Sequence, residues 1–318
     1  MFQGAPMRDS LLGRWFRGTD HKSLLRQLKM RPNDVAAWVK LINVCQQQGM
    51  LDEQHEALVR SHELQPGAYV VATFADTIAE RGAVVFQRCA EAPIQNLSNA
   101  IDEIVKWKTA LQCGHTHDVS KGYFVDAEPV MALQWDKVIY PLIQDLDFTC
   151  VLDLACGHGR NTEFLRRFSK EMHLVDINAS CIDACRERFG EERDGTRFNY
   201  YVTDGNHVRM LPDDQLTLAY TWDSMVHFDK LIVRDYVEDV ARALKPGGCA
   251  FLHHSNYGAV APDSNWASNP GTRSDMSAEL MREYAAAAGL DVVRQKLQGR
   301  AEGWGMDDLD CVSILRKP

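Results

Sequence analysis

The stretch VLDLACGHGRNTEFL, residues 151–165, decides the fold of this chain. It has the pattern of a buried apolar strand that ends in an acidic residue, followed by a Gly-x-Gly turn and a helix. Gly157 and Gly159 allow the backbone to approach a ligand closely, and the N-terminus of the helix favours a negative group. The stretch therefore predicts a ligand site at the end of a strand.

Two further predicted strands end in acidic residues. The second strand ends in Asp176, where a carboxylate can accept hydrogen bonds from both hydroxyls of a ribose. The third ends in Asp204 and Gly205, where a carboxylate can bind the amino group of an adenine. This spacing implies a nucleoside with a free ribose.

From Asp118 onward, apolar strands alternate with amphipathic helices. The seven predicted strands are CVLDLAC (150–156), EMHLVD (171–176), FNYYVT (198–203), LTLAYTW (216–222), CAFLHH (249–254), DVVRQKL (291–297) and DCVSILR (310–316). Helices are predicted near 160–170, 179–189, 229–244 and 277–288. The alternation predicts an α/β fold with a doubly wound sheet that binds ligands at the carboxyl ends of its strands.

Residues 150–316 resemble a class I S-adenosylmethionine (SAM)-dependent methyltransferase. DLACGHG resembles the first motif of that family, LVDIN its ribose-binding strand end, VTDGN its adenine-contacting loop, and LKPGG (244–248) the turn before its fifth strand. A nicotinamide-binding unit would have GxGxxG, whereas Asn161 and Thr162 follow the second glycine here. The expected fold is a seven-stranded, Rossmann-like methyltransferase sheet.

The resemblance implies SAM as the cofactor and assigns residues to it. The expected cofactor-binding residues are Asp153, Ala155, Gly157, Gly159, Asp176, Ile177, Asp204, Gly205 and Trp222. The first four would line the methionine end, Asp176 would hold the ribose, and Ile177 and Asp204 would contact the adenine. Residues 123–143 would form a helix that covers the cofactor, which adds Tyr123, Gln134 and Trp135. The alternative for these aromatic residues is a place in the core.

Methyl transfer is an in-line displacement, so the protein mainly positions the acceptor and, for a hydroxyl, removes a proton. The acceptor is expected at TWDSMVHFD (221–229) and LHHSNYG (252–258), where the fourth and fifth strands end. The candidate catalytic residues there are His227, His254, His253 and Asp223. An imidazole can take a hydroxyl proton near neutral pH, although only one of two consecutive strand residues can face the pocket. A core or cofactor-packing role is the alternative for each.

A long polar stretch, residues 255–275, follows the fifth strand and is typical of a binding loop or lid. Tyr257, Trp266 and Arg273 are its candidate substrate-binding residues, with solvated loop residues as the alternative. FLHHSNYG, NPGTRSDMS and LDCVSILRK are similar to methyltransferases of bacterial polysaccharide biosynthesis. This weaker resemblance implies a hydroxyl of a sugar or glycan precursor as the acceptor.

Two other functions remain open on the sequence. One is N-methylation of a small molecule, or of a protein side chain that the N-terminal region recruits; the other is a non-catalytic, protein-binding scaffold. Methylation of nucleic-acid bases is disfavoured because Thr221-Trp222-Asp223 stands where such enzymes carry an Asn/Asp-Pro-Pro-Tyr motif.

The region before the sheet shows apolar residues at three- and four-residue spacing, which predicts helices. Residues 35–66 resemble a tetratricopeptide repeat through Trp38, Leu41, Gly49, Leu58, Leu64 and Pro66. Ile42, Gln54 and Ser61 depart from the small residues of that repeat. The expected division is a degenerate, repeat-like helical domain at 1–118 and a methyltransferase domain at 119–318. A plain helical bundle is the alternative, and the region could bind a protein, form a homodimer or pack on the second domain.

The composition excludes several classes. With 35 Lys and Arg against 44 Asp and Glu, the net charge is −9, which disfavours nucleic-acid binding. We expect no signal peptide and no membrane span. The nine cysteines are scattered, as in a reducing compartment, so we expect a cytoplasmic protein. No metal site is predicted, since neither Cys181 with Cys185 nor His115 with His117 is followed by further ligands at metal-binding spacing.

Overall fold

The computed structural model describes residues 21–48, 50–65, 114, 121–203, 205–261, 273–303 and 306–318. The chain divides into two compact units, Met1–Lys108 and Thr109–Pro318. The sequence-based boundary after residue 118 therefore falls inside the second unit. His115 and His117 lie outside the described residues.

The described part of the first unit contains three helices: α1 (His21–Met30), α2 (Val35–Gln48) and α3 (Leu51–Leu64). Leu24 and Leu28, one helical turn apart, are the buried residues of α1. Asp34 begins α2 by accepting a hydrogen bond of 3.0 Å from the Ala37 amide. Gly49 and Pro66 of the repeat signature lie outside the described residues, so the tetratricopeptide resemblance stays a prediction.

The second unit contains an eight-stranded sheet in the order β3-β4-β2-β1-β5-β6-β8-β7. The strands are β1 (Cys150–Leu154), β2 (Glu171–Asp176), β3 (Glu192–Arg193), β4 (Thr196–Val202), β5 (Leu216–Thr221), β6 (Leu244–Ser255), β7 (Asp291–Gln298) and β8 (Asp310–Arg316). Strands β4, β2, β1, β5 and β6 are parallel, and β8 is antiparallel to both β6 and β7. The predicted α/β methyltransferase fold is confirmed.

The observed sheet has one strand more than the seven predicted from the sequence. Strand β3 pairs with β4 in an antiparallel hairpin. Asp194 and Gly195 form its turn with φ angles of 52° and 84°, the left-handed conformations that a two-residue hairpin turn requires. The short strand extends one edge of the sheet and does not approach the ligand site.

Helices cover both faces of the sheet. They are α4 (Lys121–Ala127), α5 (Met131–Gln134), α6 (Tyr140–Ile143), α7 (Thr162–Leu165), α8 (Ala179–Phe189), α9 (Lys230–Ala243), α10 (Tyr257–Val260) and α11 (Ala278–Ala287), with a π-helical turn at Trp135–Ile139. Successive residues of β1 belong to hydrophobic cores on opposite faces of the sheet. Val151 shares one core with Ile182 of α8, and Leu152 shares the other with Val237 of α9. Every helix in the described ranges is too short or too polar to cross a membrane.

The strand order fixes where a ligand can bind. From β1 the chain proceeds through β2 and β4 toward one edge, and then returns to β5 on the other side of β1. The carboxyl ends of β1 and β5 therefore flank the topological switch point, where doubly wound sheets leave a crevice.

Candidate functional site

A cavity opens at this switch point, at the carboxyl ends of β1, β2 and β5. It encloses about 970 Å³, part of it open to solvent. The predicted site residues that line it are Ala155, Gly157, Asp176, Ile177, Gly205, Trp222 and Asp223. Asp204 lies outside the described residues, while its neighbours Thr203 and Gly205 line the cavity.

The loop after β1 is built from left-handed backbone conformations. Ala155, Gly157 and Gly159 have φ angles of 58°, 54° and 80°. A Cβ on Gly157 would stand 2.9 Å from the Phe124 ring, and a Cβ on Gly159 would overlap the Phe189 ring. Glycine at 157 thus leaves space between the loop and Phe124 of α4, whereas glycine at 159 lets the loop pack closely on Phe189 of α8.

Asp153 lies beneath this loop and is not among the lining residues. Its side chain is 1% exposed and accepts a hydrogen bond of 2.6 Å from the Thr162 hydroxyl, which ties β1 to the first residue of α7. Burial, reinforced by the charge of Asp176, raises the pKa of Asp153 to about 7. The structure therefore places Asp153 as a support of the loop, where the resemblance implied a residue lining the methionine end.

Asp176 at the end of β2 is held by two backbone amides. Oδ2 accepts a hydrogen bond of 2.9 Å from Gly157, and Oδ1 accepts one of 2.8 Å from Asn178. Each carboxylate oxygen can accept a further hydrogen bond, as a ribose diol would require. Ile177 beside it is half-buried and offers an apolar surface to a flat base. These residues fit the nucleoside part of SAM.

Helix α4 covers one side of the cavity with Phe124. Its ring stacks on His158, the middle residue of the Gly-His-Gly turn, with centroids 3.8 Å apart and planes at 12°. Burial lowers the pKa of His158, which favours the neutral ring. Neither Phe124 nor His158 is among the site residues predicted from the sequence, although both stand in stretches that carry such residues. The side chain of Tyr123 is outside the described part of the structure.

The other two residues of the predicted cofactor-covering segment have different positions. Gln134 accepts a hydrogen bond of 3.2 Å from the Trp222 indole and so braces a residue of the cavity wall. Trp135 is 4% exposed and packs against Tyr140 and Phe164, with ring centroids 5.8 and 5.4 Å away. Trp135 is therefore a core residue, which was the alternative given for it.

Asp223 follows β5 and presents a carboxylate to the cavity with a φ of 60°. Its Oδ2 forms an ion pair of 3.2 Å with Arg160, another lining residue. Burial, the largest single influence, raises the pKa of Asp223, but Arg160 and weaker contributions from neighbouring basic groups together hold it below its usual value. The cavity wall thus carries an ionised carboxylate at neutral pH.

The three candidate histidines differ in position. His253 is fully buried, stacks on Trp222 at 4.2 Å and accepts a hydrogen bond of 3.1 Å at Nδ1 from the Asp223 amide. Burial lowers its pKa to about 3. His227 is half-buried in the 3₁₀ turn Met225–His227, just after Asp223. Neither residue is part of the cavity lining.

His254 faces away from the cavity. Its Nδ1 lies 2.8 Å from the Ser255 carbonyl oxygen, which can only accept, so Nδ1 carries the proton and Nε2 accepts from the Ser313 hydroxyl at 2.8 Å. Burial lowers its pKa to about 4. This environment gives neither His253 nor His254 access to an acceptor, so Asp223 and His227 remain the catalytic candidates.

The predicted substrate-binding residues do not converge in the described structure. Tyr257 is 8% exposed at the first position of α10. Arg273 is 6% exposed and donates two hydrogen bonds to Asp310, of 2.9 Å from Nε and 2.7 Å from an Nη atom. Neither lines the cavity, and Trp266 lies outside the described residues.

Comparison with known proteins agrees with this geometry. Residues 151–248, from β1 into β6, match the family described as methyltransferase domain. The chain carries a SAM-dependent methyltransferase domain, and SAM is its cofactor. No curated protein sequence matches the chain.

One solved structure with the same fold has low sequence identity to this chain, and two others are similar over part of their length. The chain is similar to a SAM-dependent methyltransferase from Leishmania major, with 14% identity, a TM-score of 0.51, and coverage of 66% of this chain and 82% of that one. The chain is also similar to a structure of the Haloferax volcanii complex between the Trm112 methyltransferase activator and a methyltransferase, with 17% identity, a TM-score of 0.45, and coverage of 60% of this chain and 93% of that one. A SAM-dependent methyltransferase from Clostridium acetobutylicum has 16% identity, a TM-score of 0.45, and coverage of 62% of this chain and 99% of its own.

Proposed function

We propose that this domain transfers the methyl group of SAM to a hydroxyl of a polar small molecule, with a sugar or glycan precursor as the acceptor. The observation that carries this proposal is the ionised Asp223 carboxylate on the cavity wall. Asp223 follows β5 and Asp176 ends β2, on either side of β1, so about 10 Å separates the two strand ends at the usual strand spacing. Asp176 then binds the ribose, and Asp223 contacts the acceptor.

SAM supplies an electrophilic methyl group on a positively charged sulfur. With SAM bound, the acceptor oxygen would form a bond to the methyl carbon as the carbon–sulfur bond breaks, and the electron pair of that bond would stay on the sulfur. Asp223 orients the hydroxyl through a hydrogen bond and takes its proton as the new bond forms. A protonated ether is a far stronger acid than a carboxylic acid, so a carboxylate with a lowered pKa is basic enough. Arg160 keeps Asp223 ionised and fixed in position.

The test begins by identifying the acceptor. Extracts incubated with the enzyme and methyl-labelled SAM would be analysed by mass spectrometry. With that acceptor, Asp223→Asn should lower turnover by about 10²–10⁴ and leave the Kd for SAM nearly unchanged, since proton removal matters only in the transition state. His227→Ala, His253→Ala and His254→Gln provide the comparison.

Two outcomes would change the assignment. If His227→Ala has the large effect and the parent rate rises with pH through the histidine range, His227 is the base. If all four variants lose little and the pH profile is flat, the acceptor is already nucleophilic, such as a neutral amine, and needs only alignment.

We further propose that the N-terminal unit, Met1–Lys108, is a repeat-like module that binds a protein or a second copy of the chain, in the cytoplasm. The repeat spacing at 35–66 supports this role, and free thiols at all seven described cysteines suit a reducing compartment. Removing residues 1–108 should leave SAM binding intact and abolish any self-association seen by light scattering. Loss of SAM binding would contradict an independent second domain.

A further inference from the structure

Three potential metal ligands lie close together at the amino ends of β1 and β2, whereas the cofactor cavity lies at the carboxyl ends. Cys150 and Glu171 are register partners in the parallel pair of β1 and β2, and His173 is two residues further along β2. All three side chains therefore leave the same face of the sheet. One ligand atom from each residue lies within 4.8 Å of the other two.

The buried imidazole of His173 is a second, independent observation that points to a ligand at this cluster. The residue is 2% exposed, and its Nε2 has no hydrogen-bond partner. Oε1 of Glu171 lies 3.9 Å from this nitrogen. A buried polar atom without a partner is destabilising, and nearly all such atoms in folded proteins are satisfied. A cation between His173, Glu171 and Cys150 would remove this penalty.

The second nitrogen of the imidazole is placed as in known metal sites. Nδ1 of His173 lies 3.4 Å from the Tyr201 hydroxyl, and the two rings pack with centroids 5.9 Å apart. A metal-bound histidine usually engages a second group through its other nitrogen, which fixes the ring orientation. Tyr201 can hold His173 with Nε2 directed at the cluster.

Glu171 is also oriented by its neighbours. The Asn199 amide and the Arg197 guanidinium both contact Oε1, each at 3.0 Å. Oε2 receives neither contact and can serve as a ligand. The Arg197 side chain is 66% exposed, so it can swing into solvent if its charge opposes a bound cation.

We propose that Cys150, Glu171 and His173 form a zinc site. A thiolate, an imidazole and a carboxylate are the donor types that zinc takes in proteins, and a three-residue set leaves a fourth position for water. Calcium and magnesium, which prefer oxygen ligands, do not match a set with sulfur and nitrogen. The ion fastens β1 to β2 at their first residues and stabilises the sheet without contacting the cofactor.

Cobalt titration of the full-length protein, freed of metal with a chelator, tests this proposal. Cobalt(II) reports a tetrahedral site with a thiolate ligand through visible d–d bands and a near-ultraviolet sulfur-to-cobalt band. We expect both bands to saturate at one equivalent and to disappear when zinc is added. Cys150→Ser should lose the sulfur-to-cobalt band, and His173→Gln should weaken binding by at least tenfold.

Cys249→Ser is the matched control. Cys249 is another buried cysteine of the same sheet, in β6, and is not part of the cluster. This variant should keep the full cobalt spectrum. Loss of the sulfur-to-cobalt band in Cys249→Ser, or its retention in Cys150→Ser, would overturn the assignment, as would the absence of any band in the parent protein.

Folding is checked separately, through SAM binding by calorimetry. If Cys150→Ser and His173→Gln do not fold, the half-buried Glu171 provides the variant. Zinc should raise the Tm of the parent protein and leave that of Glu171→Gln unchanged. An equal rise in both would overturn the proposal. Because the readouts are metal spectra and stability, their result is independent of which acceptor the enzyme methylates.

Discussion

The Gly157 amide donates a hydrogen bond of 2.9 Å to Oδ2 of Asp176, which joins the glycine turn after β1 to the acidic end of β2. The two residues are expected to contact different parts of the cofactor. Their direct contact means that the position of the turn and the orientation of the carboxylate are set together. Asn178 holds the second carboxylate oxygen at 2.8 Å, so the side chain is fixed before any ligand arrives.

Replacing Asp176 should therefore weaken SAM binding in two ways. Asp176→Ala removes the acceptor of charge-assisted hydrogen bonds, each worth about 1.5–3 kcal/mol, and releases the Gly157 turn. We expect the Kd for SAM to rise at least tenfold in calorimetry. Asp183→Ala is the control, since that carboxylate is 73% exposed on α8. An unchanged Kd in Asp176→Ala would refute the ribose assignment.

The two positions Gly159 and Gly303 separate steric overlap from backbone strain. Both have positive φ, 80° and 93°, but a Cβ on Gly159 would overlap the Phe189 ring, whereas a Cβ on Gly303 meets nothing within 4 Å. Both alanine substitutions should cost the roughly 1–2 kcal/mol of a left-handed conformation. Gly159→Ala should lose about 1–3 kcal/mol more through overpacking, as measured by urea denaturation. Equal losses would show that α8 moves aside freely.

Asp153 makes stability depend on pH in a direction opposite to that of most carboxylates. Its pKa is about 7 in the folded protein against 3.8 for the unperturbed group, so the folded state holds the proton more tightly. Well below pH 3.8 both states are protonated. As pH rises from 4 to 7, the unfolded state loses its proton first, and this residue destabilises the fold by a few kcal/mol at about 1.4 kcal/mol per pKa unit.

The neutral variant Asp153→Asn should remove that penalty. Its Tm relative to the parent protein should increase between pH 4 and pH 8, provided that the amide oxygen still accepts the Thr162 hydroxyl hydrogen. Thermal unfolding across this range measures the difference. A Tm difference that is constant with pH would mean that Asp153 ionises in the folded protein as easily as in the unfolded chain.

The position of the cavity was predictable because its determinants are local. Gly157 and Asp176 each stand at the end of an apolar strand, and the order of such strands in an α/β sheet brings those ends together. The side-chain environments of the histidines are not local. The hydrogen-bond partner of His254 is Ser313 in β8. Strand β8 pairs antiparallel with β6 although it stands much later in the chain.

Arg273 shows the same limit. In sequence it stands in a polar loop and resembles a substrate-binding residue, yet its partner is Asp310, at the first position of β8. Spacing along the chain gives no indication of this pair. The residues of the proposed zinc site show this limit too, since Cys150 meets Glu171 and His173 only through strand register.

The buried pair of Arg273 and Asp310 leads to a prediction about stability. Asp310 is fully buried, and burial raises its pKa while Arg273 acts to lower it. Arg273→Ala would leave a buried carboxylate without its partner, which typically costs about 3–5 kcal/mol. The loss should be greater at pH 8 than at pH 4, because at low pH the unpaired Asp310 can take up a proton.

The same variant distinguishes the structural role of Arg273 from the substrate-binding role that its sequence suggests. If Arg273 serves the ion pair, Arg273→Ala should unfold at a much lower urea concentration, while the folded fraction keeps the parent Kd for SAM. Arg273→Lys should recover part of the stability, since an ammonium group can replace one of the two hydrogen bonds but not the paired geometry of the guanidinium. If Arg273 instead binds the acceptor, Arg273→Ala should retain the parent stability at both pH values and raise only the KM for that acceptor. Urea denaturation at pH 4 and pH 8, together with SAM calorimetry, decides between these outcomes before the acceptor is known.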